Sequence, residues 1–235
     1  MEFLYETHMH TSEVSACARA TAEQQVVLYK KMGYTGVIIT DHFINGYTTC
    51  PKKFPWKKKM EFFVSGYENA KKAGDMCGLD VFLGWEFTIR GSDFLTYGLD
   101  LDFLLENPDV DKLEIDDYSR LVRESGGFLA QAHPYRDEHY IENPFPVDPC
   151  YIDAVEVFNA MDKDISNYRT REYADENNLP VQAGTDFHGR SFNLFSGIKL
   201  HKKAESIHDI IDAIVNRQVD LLQLQYASLY HDLMI

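Results

Sequence analysis

Two histidines stand one residue apart near the start of the chain, in the segment YETHMHTSEVSACARAT, residues 5–21. In an extended strand, residues i and i+2 point to the same side, so His8 and His10 would present two imidazoles to one point. Imidazole nitrogens are common ligands of transition metals. The pair alone is a weak motif, because two unrelated polar residues give the same pattern. It indicates half of a metal site only if other ligands join it.

Further residues of metal-ligand type follow other apolar runs of the sequence. In chain order they are Asp41 and His42 after GVIIT, Glu86 in VFLGWEF, His133 and Arg136 after FLAQ, and Asp186 and His188 after PVQA. In parallel α/β folds the carboxyl ends of the strands converge on the ligand site, so these groups should meet. A single carboxylate at such a position would more often be a helix cap or a solvated group. Agreement at five strand ends favours a shared site.

The elements that must position these groups alternate along the chain. Apolar runs predict strands at 3–7, 36–40, 81–84, 128–131, 154–158 and 180–183, with a further candidate near 221–224. Apolar residues at helical spacing predict helices at 21–32, 60–77, 111–125, 165–178 and 206–217. This alternation implies a mostly parallel sheet. Two long loops, 43–59 and 134–150, are candidate lids or binding loops.

Composition narrows the class of protein. A chain of 235 residues, 45% hydrophobic and 26% charged, fits one ordered domain, which we assign to residues 1–235. The formal net charge of −14 disfavours a partner such as duplex nucleic acid or an anionic membrane. We find neither a signal-peptide pattern nor a run of roughly 20 apolar residues, and therefore expect a cytoplasmic protein. No pattern indicates the oligomeric state.

The four cysteines form no C-x-x-C pair, so free thiols are expected. Cys17 lies near the two N-terminal histidines, but histidines and carboxylates are plentiful, and we interpret it as a buried thiol.

Five motifs resemble those of the polymerase and histidinol phosphatase (PHP) family of metal-dependent phosphoesterases. They are HMHTSE, GVIITDHF, FLGWEFT, FLAQAHPYR and AGTDFHG, and they occur in the family's order from about residue 3 to residue 190. The resemblance implies an α/β fold, a distorted (β/α)7 barrel of the PHP type, with two or three metals at the C-terminal rim.

The resemblance also implies which residues bind the metals. The three groups are His8, His10, Glu86 and Asp186; Glu86, His133 and Asp93; and His42 and His188 with a residue of the first motif. Glu86 would bridge the first two metals. Asp93 stands where family members usually have histidine, but a carboxylate binds the same metals. Ser15 stands where an aspartate is common and is a poor ligand, so Glu13 or water would have to complete the third site.

Three other strand-end residues receive supporting roles. Asp41 is interpreted as a partner that orients a ligand histidine, with direct ligation as the alternative. Glu156 and Asn159, in VEVFN, are candidate contacts to ligands or substrate.

A cluster of histidines and carboxylates suits two or three divalent ions of Zn, Mn or Fe. Two ions about 3.5–4 Å apart would make a hydroxide available near neutral pH. We therefore expect a metal-dependent phosphoesterase that hydrolyses a small phosphorylated metabolite, such as histidinol phosphate or a nucleotide phosphoester, by a metal-activated hydroxide. Arg136 would neutralise charge on the phosphoryl oxygens, and Asp186 and His188 complete the predicted catalytic set.

Two other classes of function stay open at this point. A metal-dependent amidohydrolase on a related barrel also uses H-x-H and a late Asp, although no metal-bridging lysine is evident at a strand end. A non-catalytic, metal-stabilised domain is the other alternative. The loop at 43–59 carries Lys52, Lys53, Lys57, Lys58 and Lys59. It is either a solvated loop or a lid that attracts an anionic substrate.

Overall fold

One nine-stranded sheet organises the part of the chain that the structure, a computed structural model, describes: residues 2–139, 141, 144–189 and 194–225. The strands are β1 (Phe3–Met9), β2 (Gly36–Ile39), β3 (Asp80–Ile89), β4 (Ser92–Tyr97), β5 (Phe128–Gln131), β6 (Ala154–Asn159), β7 (Val181–Gly184), β8 (Leu194–Leu200) and β9 (Asp220–Gln225). The α-helices are α1 (Ala22–Lys31), α2 (Trp56–Phe63), α3 (Ser65–Cys77), α4 (Leu101–Glu106), α5 (Ile115–Glu124), α6 (Asp164–Glu176) and α7 (Ile207–Val215). The strand order is β7-β6-β5-β4-β3-β2-β1-β8-β9.

The sheet curls into a nearly closed barrel because the end of β1 meets the segment after β7. Met9 pairs with Phe187 in parallel, and the Asp186 N–H donates to the His8 carbonyl at 2.7 Å. Gly184 makes this approach possible, since a Cβ there would lie 2.5 Å from the Cβ of His8. The closure brings the two ends of the predicted ligand set to one place.

The predicted α/β barrel is confirmed, but seven strands is the wrong number. β4 is antiparallel to both β3 and β5, and β8 is antiparallel to β1 and β9; neither strand was predicted. The β3–β4 hairpin turns at Arg90 and Gly91, both with positive φ, as a two-residue hairpin requires. The late strand near 221–224 is present as β9. The helix predicted at 60–77 lies within two helices, α2 and α3, which meet at Val64.

Strand β3 shows how the sequence separates core from site. Trp85 and Phe87 pack outward in an aromatic layer, where Phe87 stacks on Tyr118 of α5 with ring centroids 3.8 Å apart and Trp85 Nε1 donates to the Tyr118 hydroxyl at 2.7 Å. Because side chains alternate along a strand, Glu86 points to the opposite face. Both neighbours therefore fix the direction of Glu86.

No helix in the described ranges is long and apolar enough to cross a membrane.

A second buried carboxylate, Glu6, links the elements at the barrel's closure. Its Oε1 accepts from the N–H groups of His8 and Thr185, each at 2.9 Å, and its Oε2 accepts from the Tyr29 hydroxyl at 2.7 Å and from the Thr185 hydroxyl. The β1 register is irregular between Glu6 and Met9, so the carboxylate satisfies backbone donors that the ladder does not. Burial raises the pKa of Glu6 to about 7, although these hydrogen bonds lower it.

We predict that Glu6→Ala destabilises the fold more than Glu6→Gln. Alanine leaves four donors without an acceptor, and each such loss costs about 1–3 kcal/mol. Glutamine keeps one oxygen for the two amides, and its NH₂ can donate to the two hydroxyls. Urea denaturation should show a loss of at least about 3 kcal/mol for the alanine variant. Equal losses in the two variants would contradict this role.

A comparison of the wild type with Glu6→Gln tests the raised pKa of Glu6. Because the folded state binds the proton more tightly than the unfolded chain, this contribution to stability is full below pH 4.5 and is lost as the pH rises through about 7. The unfolding free energy of the wild type should therefore fall relative to that of Glu6→Gln across this interval. A constant difference between the two proteins would show that Glu6 does not titrate there.

Candidate metal centre

Eight predicted ligands meet at one end of the barrel: His8 lies on β1, Glu86 on β3 and Asp93 on β4, and the other five follow β1, β2, β5 and β7. Their donor atoms form four groups, each within 4.8 Å: His8, His10 and Glu86; Glu86, Asp93 and His133; His8, His133 and Asp186; and His10, His42 and His188. The groups share members, so the cluster is continuous.

Glu86 lies at the centre of the cluster and contacts four histidines. Its Oε1 is 3.3 Å from His8 Nε2 and 3.1 Å from His133 Nε2. Its Oε2 is 3.4 Å from His10 Nε2 and 2.7 Å from His42 Nδ1. The last contact lacks hydrogen-bond geometry, and both atoms are buried without a hydrogen-bond partner. Buried polar atoms of this kind need a partner, and a cation fits.

Hydrogen bonds to the outer nitrogens set the tautomers of His8 and His10. His8 Nδ1 lies 3.0 Å from Glu156 Oε1, and an ionised carboxylate can only accept, so the ring donates. His10 Nδ1 lies 3.1 Å from Ser15 Oγ, whose own hydroxyl donates to Asp41 at 2.7 Å. When both rings are neutral, as metal binding requires, each Nε2 has a free lone pair, and the two Nε2 atoms face each other at 3.2 Å. Both lone pairs are then directed at one point, so these residues fit a metal.

Asp41 orients ligands through hydrogen bonds. It accepts from the Thr11 N–H and hydroxyl, both at 2.6 Å, as well as from Ser15. Ser15 in turn accepts from the His42 N–H at 3.0 Å. Helix α3 packs against this group through Gly66, where a Cβ would collide with Asp41 and Thr11. These contacts support the interpretation of Asp41 as an orienting partner.

The electrostatics of the cluster favour added positive charge. Burial lowers the pKa of His8, but Asp186, Glu156 and Glu86 together hold it well above its usual value. Burial raises the pKa of Glu86, yet His42 and His8 hold it well below its usual range. A divalent cation would supply the charge that these buried carboxylates require.

Two ligand-type residues have a left-handed backbone, with φ of +29° at His133 and +58° at Asp186. Residues other than glycine rarely adopt such angles, which store strain at functional sites. Backbone hydrogen bonds maintain them: the Arg136 N–H donates to the His133 carbonyl at 2.9 Å, and the Asp186 N–H donates to His8.

Glu13, the first-motif carboxylate, lies at the start of α1. Both of its carboxylate oxygens lie 3.1 Å from the Ala22 N–H, at the first residue of α1, and Glu13 belongs to none of the four groups. Glu13 thus lies outside the ligand cluster in this structure, and its part in a third site stays a prediction. Its carboxylate instead satisfies a free N–H at the start of a helix.

Cys17 was interpreted as a buried thiol, and the structure places it differently. It is partly exposed and lines the cavity above the cluster together with His188 and His42. Burial raises its pKa, but these two histidines lower it, to about 7. The sequence did indicate that Cys17 lies near the cluster, because it follows the H-x-H pair by only a few residues.

Arg136 lies inside the site rather than on the loop surface. Its Nε contacts Asp162 Oδ1 at 2.6 Å, and its Nη2 contacts Asp186 Oδ2 at 2.8 Å and Asn159 Oδ1 at 3.0 Å. Sequence reasoning missed Asp162, which follows β6 in an irregular segment. Asp93 lies beside Glu86 and His133 and accepts from the Thr88 hydroxyl at 2.6 Å.

A cavity of about 790 Å³ opens onto the cluster. Its wall includes Tyr47, Thr88, Asp93, Arg136, Met161 and Lys163. None of the five lysines at 52–59 lines it, so the structure does not support that loop as a basic lid. Lys57 instead lies on α2 near Glu61.

The fold and the ligand cluster together define an α/β barrel with a candidate metal centre, and comparison with known proteins agrees. A two-domain protein from Bacteroides vulgatus, described as containing a predicted PHP-like metal-dependent phosphoesterase, superposes with a TM-score of 0.71 at 14% identity over 94% of this chain. This chain spans only 65% of that protein. The resemblance to the PHP family is thus confirmed at the level of the fold.

Two further solved structures share this fold. A putative metal-dependent phosphoesterase from Bifidobacterium adolescentis matches with a TM-score of 0.58 at 16% identity, covering 92% of this chain and 96% of its own. An amidohydrolase from Chromobacterium violaceum, solved with bound sulfate and no metal, matches with a TM-score of 0.56 at 12% identity, covering 96% and 99%. No family model and no curated protein sequence matches the chain. The fold alone therefore does not choose between the two activities.

We predict that Glu86→Ala lowers metal loading more than Asp93→Ala. Glu86 contacts four histidines of the cluster, whereas Asp93 belongs to one group of ligands. Elemental analysis after reconstitution with Mn or Zn should give at least two equivalents in the wild type. The Asp93 variant should lose at most one, and the Glu86 variant more than the Asp93 variant.

Glu13→Ala provides the matched control, because it removes a nearby carboxylate of the first motif that lies outside the cluster. Its metal content should equal that of the wild type. Equal losses in the Glu86 and Asp93 variants would rule out the bridging role.

Proposed function

We propose that the protein is a metal-dependent phosphoesterase that hydrolyses a small phosphorylated metabolite. The observation that carries this proposal is the position of Arg136, which places a guanidinium 2.8 Å from Asp186 at the edge of the metal-ligand cluster, on the wall of the cavity. Phosphoryl transfer requires neutralisation of charge on the phosphoryl oxygens more than covalent help from the protein.

The residues that would hold two ions are His8, His10, Glu86 and Asp186, and Glu86, His133 and Asp93. Bound there, divalent ions would supply Lewis acidity and a water of lowered pKa.

Arg136 is held rigidly for its proposed task. Asp162, Asp186 and Asn159 engage Nε and Nη2, and the hydrogen bonds found among the described residues do not use Nη1. Burial lowers the pKa of Arg136, but Asp186 and Asp162 raise it well above its usual value, so the charge is permanent. A preorganised cation of this kind loses little entropy when it binds an oxyanion.

The cavity suits a small ligand. Its volume of about 790 Å³ lies within the range of pockets for small molecules, about 300–1,000 Å³. Lys163 adds a second cation to the wall, although its ammonium is largely exposed and lies near the Asp137 carbonyl. A cavity of this volume, lined by both polar and apolar side chains, suits a small metabolite better than a polymer.

The amidohydrolase alternative rests on the structural neighbour that carries that name. The guanidinium of Arg136 at the edge of the cluster suits a phosphoryl group better than an amide or a lactone. A panel of phosphomonoesters, phosphodiesters, amides and lactones, assayed with and without chelator, separates the two. Chelator-sensitive hydrolysis restricted to amides or lactones would refute the phosphoesterase.

We predict that Arg136→Ala lowers kcat/KM for the phosphoester found in this panel by about 10²-fold or more. Arg136→Lys should recover only part of the loss, because an ammonium lacks the planar fork. Metal content, measured on the same samples, should be retained, since Arg136 is not one of the candidate metal ligands. Arg120→Ala, which removes an exposed partner of Asp117, is the matched control and should leave kcat/KM unchanged. A kcat/KM equal to that of the wild type in Arg136→Ala would show that Arg136 does not contribute to hydrolysis.

A further inference from the structure

The wall of the cavity carries polar groups for which the described part of the chain provides no hydrogen-bond partner. They belong to Asn45, Asp162 and Ser166, which all line the cavity and are members of none of the four ligand groups. Buried polar groups in proteins normally have a hydrogen-bond partner, and each exception requires an explanation. A molecule bound in the cavity would supply the missing partners, so these groups indicate what that molecule must offer.

Asn45 presents a hydrogen-bond acceptor. Its Nδ2 donates to the Thr88 carbonyl at 2.8 Å, which fixes the orientation of the amide. Its Oδ1 is buried and has no hydrogen-bond partner among the residues that the structure describes. An amide oxygen can only accept, so the missing partner is a donor.

Asp162 presents a second acceptor. Its side chain is only 3% exposed, and its Oδ1 accepts from Arg136 Nε at 2.6 Å. The adjacent guanidinium favours the ionised carboxylate, and Oδ2 is buried without a partner in the described ranges. Because Arg136 already matches the charge of Asp162, a neutral donor suits Oδ2 better than a second cation.

Ser166 presents a hydroxyl in the first turn of α6, where the residue is 4% exposed. Its N–H donates to the Lys163 carbonyl at 2.9 Å, and its carbonyl accepts from the Thr170 hydroxyl at 2.9 Å. A serine hydroxyl within a helix often bonds to a carbonyl of the preceding turn. The hydrogen bonds found among the described residues do not include the Ser166 hydroxyl, so it can donate to or accept from a ligand.

We propose that the substrate is a phosphate ester of a sugar or an open-chain polyol, whose hydroxyl groups bind at Asn45, Asp162 and Ser166. A hydroxyl meets all three requirements, because it donates to the two acceptors and forms either kind of hydrogen bond with the serine. The inference rests on the proposed phosphoesterase function, which places the phosphoryl group at Arg136 and the ligand cluster. It adds the chemical class of the leaving group.

The apolar part of the wall agrees with this class of ligand. Tyr47 and Met161 line the cavity and are 66% and 39% exposed. They offer apolar surface to the carbon-bound hydrogens of a sugar or polyol. Small-molecule sites generally combine such a surface with a few polar groups that fix the orientation of the ligand.

A substrate with an ammonium group fits this wall less well. The guanidinium of Arg136 and the ammonium of Lys163 lie on the same wall and disfavour a further cation. Of the two exposed carboxylates there, Glu138 lies 3.9 Å from Lys163 Nζ, and Asp137 is screened by solvent. Neutral hydroxyl groups carry no such penalty.

The test compares phosphate esters that differ in their hydroxyl groups. Glycerol 3-phosphate, ribose 5-phosphate, glucose 6-phosphate and sorbitol 6-phosphate are each assayed against the alkyl or cycloalkyl phosphate of matching size, and 2-aminoethyl phosphate is the ammonium probe. At least one hydroxylated ester should have a kcat/KM about 10²-fold or more above that of its hydroxyl-free partner, because the partner leaves buried polar groups unpaired. If the hydroxyl-free esters or 2-aminoethyl phosphate are hydrolysed as well as every hydroxylated ester, the inference is overturned and the phosphoesterase function stands.

Two substitutions test whether the named residues contact the hydroxyl groups. Ser166→Ala and Asn45→Ala should each lower the preference for the hydroxylated ester, the ratio of the two kcat/KM values, by about fivefold. Alanine favours a helix, so Ser166→Ala should fold normally. Ser125→Ala and Asn69→Ala, which remove an exposed hydroxyl and an exposed amide, are the matched controls and should keep the ratio of the wild type. An unchanged ratio in both cavity variants would contradict the assignment.

A binding measurement tests the inference without hydrolysis. Phosphonate analogues, in which a methylene replaces the ester oxygen, are titrated calorimetrically into the metal-reconstituted protein. At least one hydroxylated phosphonate should bind about tenfold or more tightly than its hydroxyl-free partner, and Ser166→Ala should reduce this difference. A protein that shows this preference but hydrolyses no phosphate ester would refute the proposed function and retain the hydroxyl-binding site. Equal affinities within every pair would refute the hydroxyl-binding site.

Discussion

The contact of one carboxylate, Glu86, with four histidines is the interaction on which the site depends. Both oxygens of Glu86 lie within 3.4 Å of imidazole nitrogens that come from the ends of β1, β2 and β5. A small shift of β3 would change all of these distances together. The aromatic layer outside β3 prevents such a shift, because Trp85 and Phe87 are each fixed by Tyr118. Core packing and the geometry of the site are therefore one constraint.

A second layer of buried carboxylates determines how the ligands present their nitrogens. Glu156 accepts from His8 Nδ1 at 3.0 Å, from the Asn159 amide at 2.9 Å and from the His133 N–H at 3.3 Å, so one side chain of β6 orients residues of β1 and β5. Asp41 acts on the other side of the cluster through Ser15. Since these acceptors are buried beside the outer ring nitrogens, they determine which nitrogen of each ring carries a hydrogen before any cation binds.

The convergence of the candidate ligands could be predicted because of a general property of parallel sheets. The carboxyl ends of strands converge, and the ligand types at those ends were visible in the sequence. The antiparallel strands β4 and β8 were not predictable in the same way, because their pairing is decided by tertiary contacts and only the Arg90–Gly91 turn hints at the first of them. The barrel class was thus accessible, and the strand count was not.

The positions of Glu13 and Cys17 could not be predicted from the sequence, and the physical reason is the same for both. Both lie in the loop between β1 and α1, whose path is set by hydrogen bonds to residues distant in sequence, such as that from the Arg19 N–H to the His188 carbonyl. Spacing within the first motif cannot reveal such a bond, and it therefore cannot show where either side chain lies. Arg136 shows the same limit, because its partner Asp162 comes from a different strand end.

The solvent exposure of the candidate ligands increases from the interior of the cluster to its edge. The side chains of His8 and His10 are fully buried and those of Glu86 and Asp186 nearly so, whereas His42 and His188 are 15% and 16% exposed and line the cavity. Buried ligands are preorganised and shielded from water, so they hold an ion with little competition from solvent. The candidate ligands at the edge are in contact with the cavity, which is where a small molecule would reach the cluster. The fold thus buries His8, His10, Glu86 and Asp186 in the interior and leaves His42 and His188 open to the cavity.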